Sequence, residues 1–356
     1  MFNFTLLNLN SAFCLLAQAE TPAQMQDSAR TNWLLGVVLF ILACASVAGR
    51  FLRKQPEGTV QPALARTFNL RVRAWWMMTA ILSAGYLIDK HAGSRYPATV
   101  VLFGLVSFWA LREFITMTPT RLGDHRALFW VFFVITPLQY VLVGLGKEWY
   151  PVYSILIPVY GSLFIPAQIA FSGDSKRFLE RSAKIQAGLL ICVYSLSYTP
   201  ALLDQTLEVP DGNGGFVSWD GNRFQLLFYF VLLVQLADVL QYGWGKLLGK
   251  HVIAPAVSAS RTWEGFCAGV ASTTLFGVLL WWVTPFGLWG SACMAMVVAV
   301  MGFAGGMTMS AIKRDRGVTD YGTLVQGHAG LLDRIDSICF AAPVFFHLAP
   351  LISRLS

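Results

Sequence analysis

The residues able to do chemistry in this chain crowd into two short stretches near its C-terminal end. The denser stretch runs from Ser310 to Ser337 and holds Lys313, Arg314, Asp315, Arg316, Asp320, His328, Asp333, Arg334 and Asp336. Asp333 and Asp336 are spaced i, i+3, which turns both carboxylates to one side if a helix begins there. Hard oxygen ligands of this kind suit Mg²⁺, which takes one or two carboxylates together with substrate phosphates. Lys313 and Arg314 can neutralise phosphate, Arg through a two-pronged fork and Lys as a point charge. Gly327, His328 and Gly330 allow the backbone to come close to a phosphate-bearing ligand. Membrane anchoring would explain the cations alone, but not a carboxylate pair beside a Gly-His-Ala-Gly turn.

The second stretch lies upstream. Asp238, Tyr242 and Lys246 share one helical face at i, i+4, i+8. An ionisable group near a membrane span is costly and marks a functional candidate. Gly243 to His251 carries Gly and Lys suited to a phosphate, but without the spacing of a nucleotide-binding P-loop. Ser258, Ser260, Arg261, Thr262 and Glu264 follow directly. Hydroxyls with Arg261 can bind an anionic headgroup, and Glu264 can organise Arg261 or a metal-bound water. A helix N-cap at Ser260 or Thr262 accounts for the same residues equally well.

What must position these residues is a membrane domain. The chain has 356 residues, of which 56% are hydrophobic and 13% charged, and its mean hydropathy is +0.57. A soluble domain carries about 25% charged residues, so an ordinary cytosolic enzyme, a disordered chain and a nucleic-acid-binding domain are excluded. Ten stretches approach the roughly 20 apolar residues that a spanning helix needs: 33–49, 74–88, 97–111, 127–146, 149–171, 185–203, 224–242, 266–283, 288–312 and 337–352. Three of these are short, so the count is nine or ten. With the N-terminus outside, the interior loops 50–73, 112–126, 172–184, 243–265 and 313–336 carry 20 of the 26 Lys and Arg residues. That bias is the positive-inside pattern. It expects a multi-pass cell-membrane protein with both polar stretches at the cytoplasmic ends of the C-terminal helices. A transporter would instead gather polar groups near the midplane.

Residues 1–32 read as an exterior or interfacial lead. Their apolar run ends in Ala-Gln-Ala like a cleavage site, but lacks the positive region of a signal peptide. Residues 33–223 form the N-terminal spans, and 224–356 form the C-terminal region bearing the chemistry. The six Cys contain no C-x-x-C spacing and read as buried apolar residues rather than a zinc site or disulfide framework.

Two motifs in register resemble those of the phosphatidate cytidylyltransferases (CDP-diacylglycerol synthases). The first comprises Ala237-Asp238, Tyr242, Gly245-Lys246, Gly249-Lys250-His251, Ser258, Thr262 and Glu264-Gly265. The second comprises Ser310, Lys313-Arg314, Asp320, Gly322, Gly327-His328, Gly330, Asp333-Arg334 and Asp336. The resemblance covers about residues 224–346 and implies an all-helical membrane enzyme. Its substrates would be CTP and phosphatidate or another lipid phosphate, its products CDP-diacylglycerol and pyrophosphate, and its cofactor Mg²⁺. By resemblance Asp333 is a metal ligand supported by Asp336 and Asp320, while Lys313, Arg314 and Arg334 face phosphates. Ser310, Gly327, His328 and Gly330 shape the pocket, and Asp238, Tyr242, Ser258, Arg261, Thr262 and Glu264 form its second wall. The resemblance also implies a homodimer.

The chain departs from the motifs at Gly306, where most members carry Asp, and at Thr319, where they carry Lys. Gln326, Ala329, Ala259 and Arg261 replace Pro, Gly, Pro and Lys. A non-catalytic homologue that binds lipid or a partner enzyme is the competing expectation, distinguished by whether CTP binds.

Overall fold

The computed structural model describes residues 33, 36–40, 42–47, 49–51, 62–92, 96–117, 120–211, 214–318 and 330–356. The N-terminal lead and the expected site residues Asp320, Gly327 and His328 lie outside them. After helical residues between Gly36 and Phe51 come α1 (Pro62–Ala92), α2 (Pro97–Thr116), α3 (Leu122–Gly144), α4 (Lys147–Ala170) and α5 (Phe178–Asp204). The C-terminal part holds α6 (Arg223–Leu248), α7 (Trp263–Leu279), α8 (Gly287–Asp315) and α9 (Leu332–Arg354). Seven of these, α2 to α6 with α8 and α9, are long and apolar enough to cross a membrane. The apolar α7 has 17 residues, and the stretch expected at 266–283 is completed by a 3₁₀ turn over Trp281–Val283. The chain is an all-α polytopic membrane protein.

Proline shapes the helices without stopping them. Pro137 follows a π turn over Val131–Ile135, and Pro158 lies within another over Leu156–Gly161. Such turns let a membrane helix absorb a missing N–H. The α1–α2 corner is held by buried Asp89, whose carboxylate accepts from the N–H groups of Ala98 (2.8 Å) and Thr99 (2.9 Å) and from the Thr99 hydroxyl (2.6 Å). An acidic acceptor at a helix N-terminus satisfies donors that the helix cannot.

Two antiparallel hairpins interrupt the helices. One joins β1 (Glu208–Pro210) to β2 (Phe216–Ser218) ahead of α6. The other joins β3 (Val252–Ala254) to β4 (Ser258–Thr262) between α6 and α7. The second hairpin carries Ser258, Arg261 and Thr262.

The C-terminal helices pack through glycine. A Cβ on Gly265 would lie 2.7 Å from Gly245 Cα, and one on Gly269 would lie 2.7 Å from Gln241 Cα. The α6 and α7 backbones therefore touch, as small-xxx-small pairs permit in membranes. Gly305 of α8 abuts α9 in the same way, 2.8 Å from the Asp336 carbonyl and 2.9 Å from Phe340 Cβ. Gln241 then donates to the Ala299 carbonyl at 3.0 Å, tying α6 to α8. The succession α6, α7, α8, α9 runs up and down, so the C-terminal half of α6, the β3–β4 hairpin, the end of α8 and the start of α9 meet at one end.

Candidate active site

Both polar stretches contribute to one cluster at that end. Lys313, in the last turn of α8, donates to Asp333 Oδ1 at 2.7 Å, and both side chains are largely buried. One turn further along α9 stands Asp336. Ser337 donates through its hydroxyl to Asp238 Oδ1 of α6 at 2.9 Å, with Asp336 Oδ1 3.4 Å from the same hydroxyl. The Ser337 N–H also donates to Asp336 Oδ1 at 2.8 Å. Asp238 and Asp336 thus converge on one hydroxyl from two helices, and Asp333 and Arg261 lie within electrostatic reach of Asp336.

Arg261 enters from β4. Its guanidinium lies over the Phe303 ring of α8, 5.0 Å from the centroid, and against Gly306 one turn on. Arg314 reaches back to the same hairpin, donating from Nε to the Val257 carbonyl at 3.3 Å. Ser310 bonds back to the Gly306 carbonyl of its own helix at 2.6 Å.

The other expected site residues make local contacts. Thr262 is the N-cap of α7, accepting from Gly265 N–H at 3.2 Å, so the capping account of this segment holds for Thr262. Ser258 pairs with Ser260 across 3.3 Å at the exposed turn. Tyr242 lies one turn beyond Asp238, with the Lys246 ammonium 5.9 Å from its ring centroid. The carbonyl of Arg334 accepts from Gln235 at 3.4 Å, and Gly330 is buried just ahead of α9. Glu264 lies in the first turn of α7 ahead of its apolar part. It accepts from His251 Nδ1 (2.6 Å) and from the backbone N–H groups of Lys250 (3.1 Å) and His251 (3.2 Å). The His251 side chain, then the Lys250 N–H, hold the Glu264 carboxyl down at about 2.

One residue at the site stands far from either motif. Glu113 of α2 is buried, and its carboxyl group accepts from Leu331 N–H (3.1 Å), Leu332 N–H (2.8 Å) and Trp109 Nε1 (3.1 Å). It caps the helix that carries Asp333 and Asp336. Its signal in the sequence is a lone carboxylate at the end of the apolar stretch 97–111, read there only as part of an interior loop.

Among the described residues no three His, Cys, Asp or Glu side chains form a closed metal site. Asp238 and Asp336 could offer a hard cation two carboxylates, leaving its other positions to further ligands. An apolar cavity of about 80 Å³ lies between α1 and α6, lined by Leu82 of α1 and by Phe228, Leu232, Gln235 and Leu236 of α6. Gln235 is one turn from Asp238.

The cytidylyltransferase family matches residues 69–352. An uncharacterized protein of Escherichia coli, YnbB, is 32% identical over 315 residues, covering 88% of this chain and 96% of its own. A phosphatidate cytidylyltransferase of Staphylococcus haemolyticus is 25% identical over 252 residues, covering 69% of this chain and 88% of its own. Another, from Aquifex aeolicus, is 37% identical over 121 residues, covering 34% of this chain and 45% of its own.

Proposed function

Because the chain belongs to the cytidylyltransferase family, we propose that it joins CTP to phosphatidate or a closely related lipid phosphate, releasing CDP-diacylglycerol and pyrophosphate. An oxygen of the lipid phosphate attacks the α-phosphorus of CTP, and the bond to the β-phosphate oxygen breaks as pyrophosphate leaves. The acceptor is its own nucleophile, so no Ser–His or Cys–His pair is required. Transfer of this kind depends on positioning and charge neutralisation.

The observation that carries this reading is the meeting of Asp238, Asp336, the Lys313–Asp333 pair and Arg261 at one end of a membrane bundle. Mg²⁺ bound there would neutralise phosphate charge and orient the reacting groups. Asp336 with Asp238 would hold it, and Asp333 would join them when Lys313 turns from its carboxylate to a substrate phosphate. Arg314 and Arg334 flank this path as further cations. The apolar cavity between α1 and α6 would seat an acyl chain, so the lipid enters sideways and presents its phosphate near Asp238. The bias of 20 of 26 Lys and Arg residues to one set of loops favours placing this end in the cytoplasm, where CTP is available.

Purified protein in detergent tests the proposal. With CTP and Mg²⁺ it should release pyrophosphate only when phosphatidate is added, and Asp336→Asn should abolish the release. A well-folded protein that neither binds CTP nor releases pyrophosphate with any of several lipid phosphates would refute it.

A further inference from the structure

The side chain of Arg261 has an unusual seat. Its guanidinium lies over Phe303, 5.0 Å from the ring centroid. It also rests on bare backbone at Gly306, where an added Cβ would overlap Nη2 and come within 2.9 Å of Cζ. Phe303 and Gly306 are three residues apart on α8, so ring and glycine form adjacent walls of one notch. Half-buried as it is, the guanidinium has no hydrogen-bond acceptor and no carboxylate within ion-pair distance among the described residues. Asp336 feels its charge at longer range. A planar fork of N–H donors, held by a ring and a backbone surface rather than by an acceptor, is preorganised for an oxyanion.

We propose that Arg261 is a phosphate-binding residue of this site and that Gly306 is its positioning residue, glycine because any side chain there would displace the guanidinium. The notch accounts for two departures from the family motifs at once. Arg in place of Lys at 261 provides a fork that fills the notch, and Gly in place of Asp at 306 leaves it open. The phosphate bound is one borne by the nucleotide or by the lipid, and the inference rests on the functional reading above.

A double-mutant cycle tests it. The Cβ of Gly306→Ala meets only the far end of a flexible side chain, so this variant should fold with an unchanged thermal midpoint while pushing the guanidinium aside. Three measurements are made on wild type, Gly306→Ala, Arg261→Gln and the double variant. They are KM and kcat for CTP, KM and kcat for phosphatidate, and the thermal shift produced by inorganic pyrophosphate with Mg²⁺. Loss of a charge-assisted hydrogen-bonding fork weakens binding roughly ten- to hundredfold, so each single variant should raise the affected constant by at least about tenfold. The double variant should be no worse than Arg261→Gln alone, because both changes remove one interaction. A rise in KM for CTP identifies the nucleotide phosphate as the ligand, and a rise for phosphatidate identifies that of the lipid. Additive losses, a silent Gly306→Ala beside an impaired Arg261→Gln, or an Arg261→Gln that changes none of the three would overturn the inference. Wild type that binds pyrophosphate through Arg261 and Gly306 but makes no CDP-lipid would refute the functional reading and leave the phosphate seat standing.

Discussion

Substituting Glu113 by Gln probes how the first turn of α9 is held in place. Glu113 uses both carboxyl oxygens, Oε2 toward Leu332 N–H at 2.8 Å and Oε1 toward Leu331 N–H and Trp109 Nε1 at 3.1 Å each. Gln keeps one carbonyl oxygen but sets an NH₂ group against a second N–H, exchanging an acceptor for a donor. Hydrogen bonds to charged groups contribute about 1.5–3 kcal/mol and a buried donor left unmatched costs about 1–3 kcal/mol. The local penalty is therefore about 2 kcal/mol, or roughly thirtyfold in the opening equilibrium of that turn. Amide hydrogen exchange resolved by peptide should show residues 331–336 losing about thirtyfold in protection, while the middle of α9 is unchanged. Catalytic efficiency should fall with it, since Asp333 and Asp336 ride on the same turn. Unaltered exchange at 331–336 would mean that Glu113 does not hold this end of the helix, and the positioning argument would fall.

Three further outcomes are expected. Lys313→Gln removes the cation paired with the largely buried Asp333 and should lower CDP-lipid formation by about a hundredfold, the scale for one preorganised charged donor, and lower the thermal midpoint as well, because a buried carboxylate loses its counter-charge; activity within twofold of wild type would contradict it. Gly269→Val forces a side chain onto the Gln241 backbone, 2.7 Å from Cα, and should destabilise by about 2 kcal/mol or more, whereas Cys267→Val on the exposed side of the same helix should be neutral by thermal unfolding. Glu264 has a carboxyl lowered to about 2 in the folded chain against about 4.3 unfolded, so its contribution is complete above the unfolded value and fades as pH falls toward 2. The gap in thermal midpoint between wild type and Glu264→Gln should hold above pH 5 and close on acidification; a gap independent of pH would exclude this clip.

The membrane class was written in the scarcity of charge, and the place of the site in where the remaining charges cluster. Asp238 was visible as a lone carboxylate beside an apolar run, and Asp336 as one of the Asp333–Asp336 pair. Their mutual approach was not, because it depends on Ser337 and on the crossing of α8 with α9 at Gly305, which no local pattern encodes. The i, i+3 spacing of Asp333 and Asp336 suggested one shared face, yet Lys313 claims the first and Asp238 faces the second. The β3–β4 hairpin went unread since Ser258 to Thr262 also matches a helix start, and the cap at Thr262 satisfies both descriptions. Glu113 was the hardest to see. Its partners are backbone N–H groups 218 and 219 residues away, and backbone donors leave no signature in side-chain identity.

The ties of α9 set an order in time. This last helix is bonded to α2 through Glu113, to α4 through Tyr150 and His347 (2.9 Å), to α6 through Asp238 and Ser337, and to Gln205, which donates to the Phe346 carbonyl at 2.7 Å. A ribosome adding about 5–20 residues per second needs roughly 10–45 s to travel the 218 residues from Glu113 to Leu331. Throughout that interval the N–H groups of Leu331 and Leu332 are not yet there for Glu113 to accept from. Since α9 is made after every helix it bonds to here, these contacts form late: its arrival brings Asp336 to Asp238 and supplies the N–H groups that Glu113 accepts from. A nascent chain stalled before α9 would be an inserted bundle with an unfinished site, the form most exposed to membrane quality control.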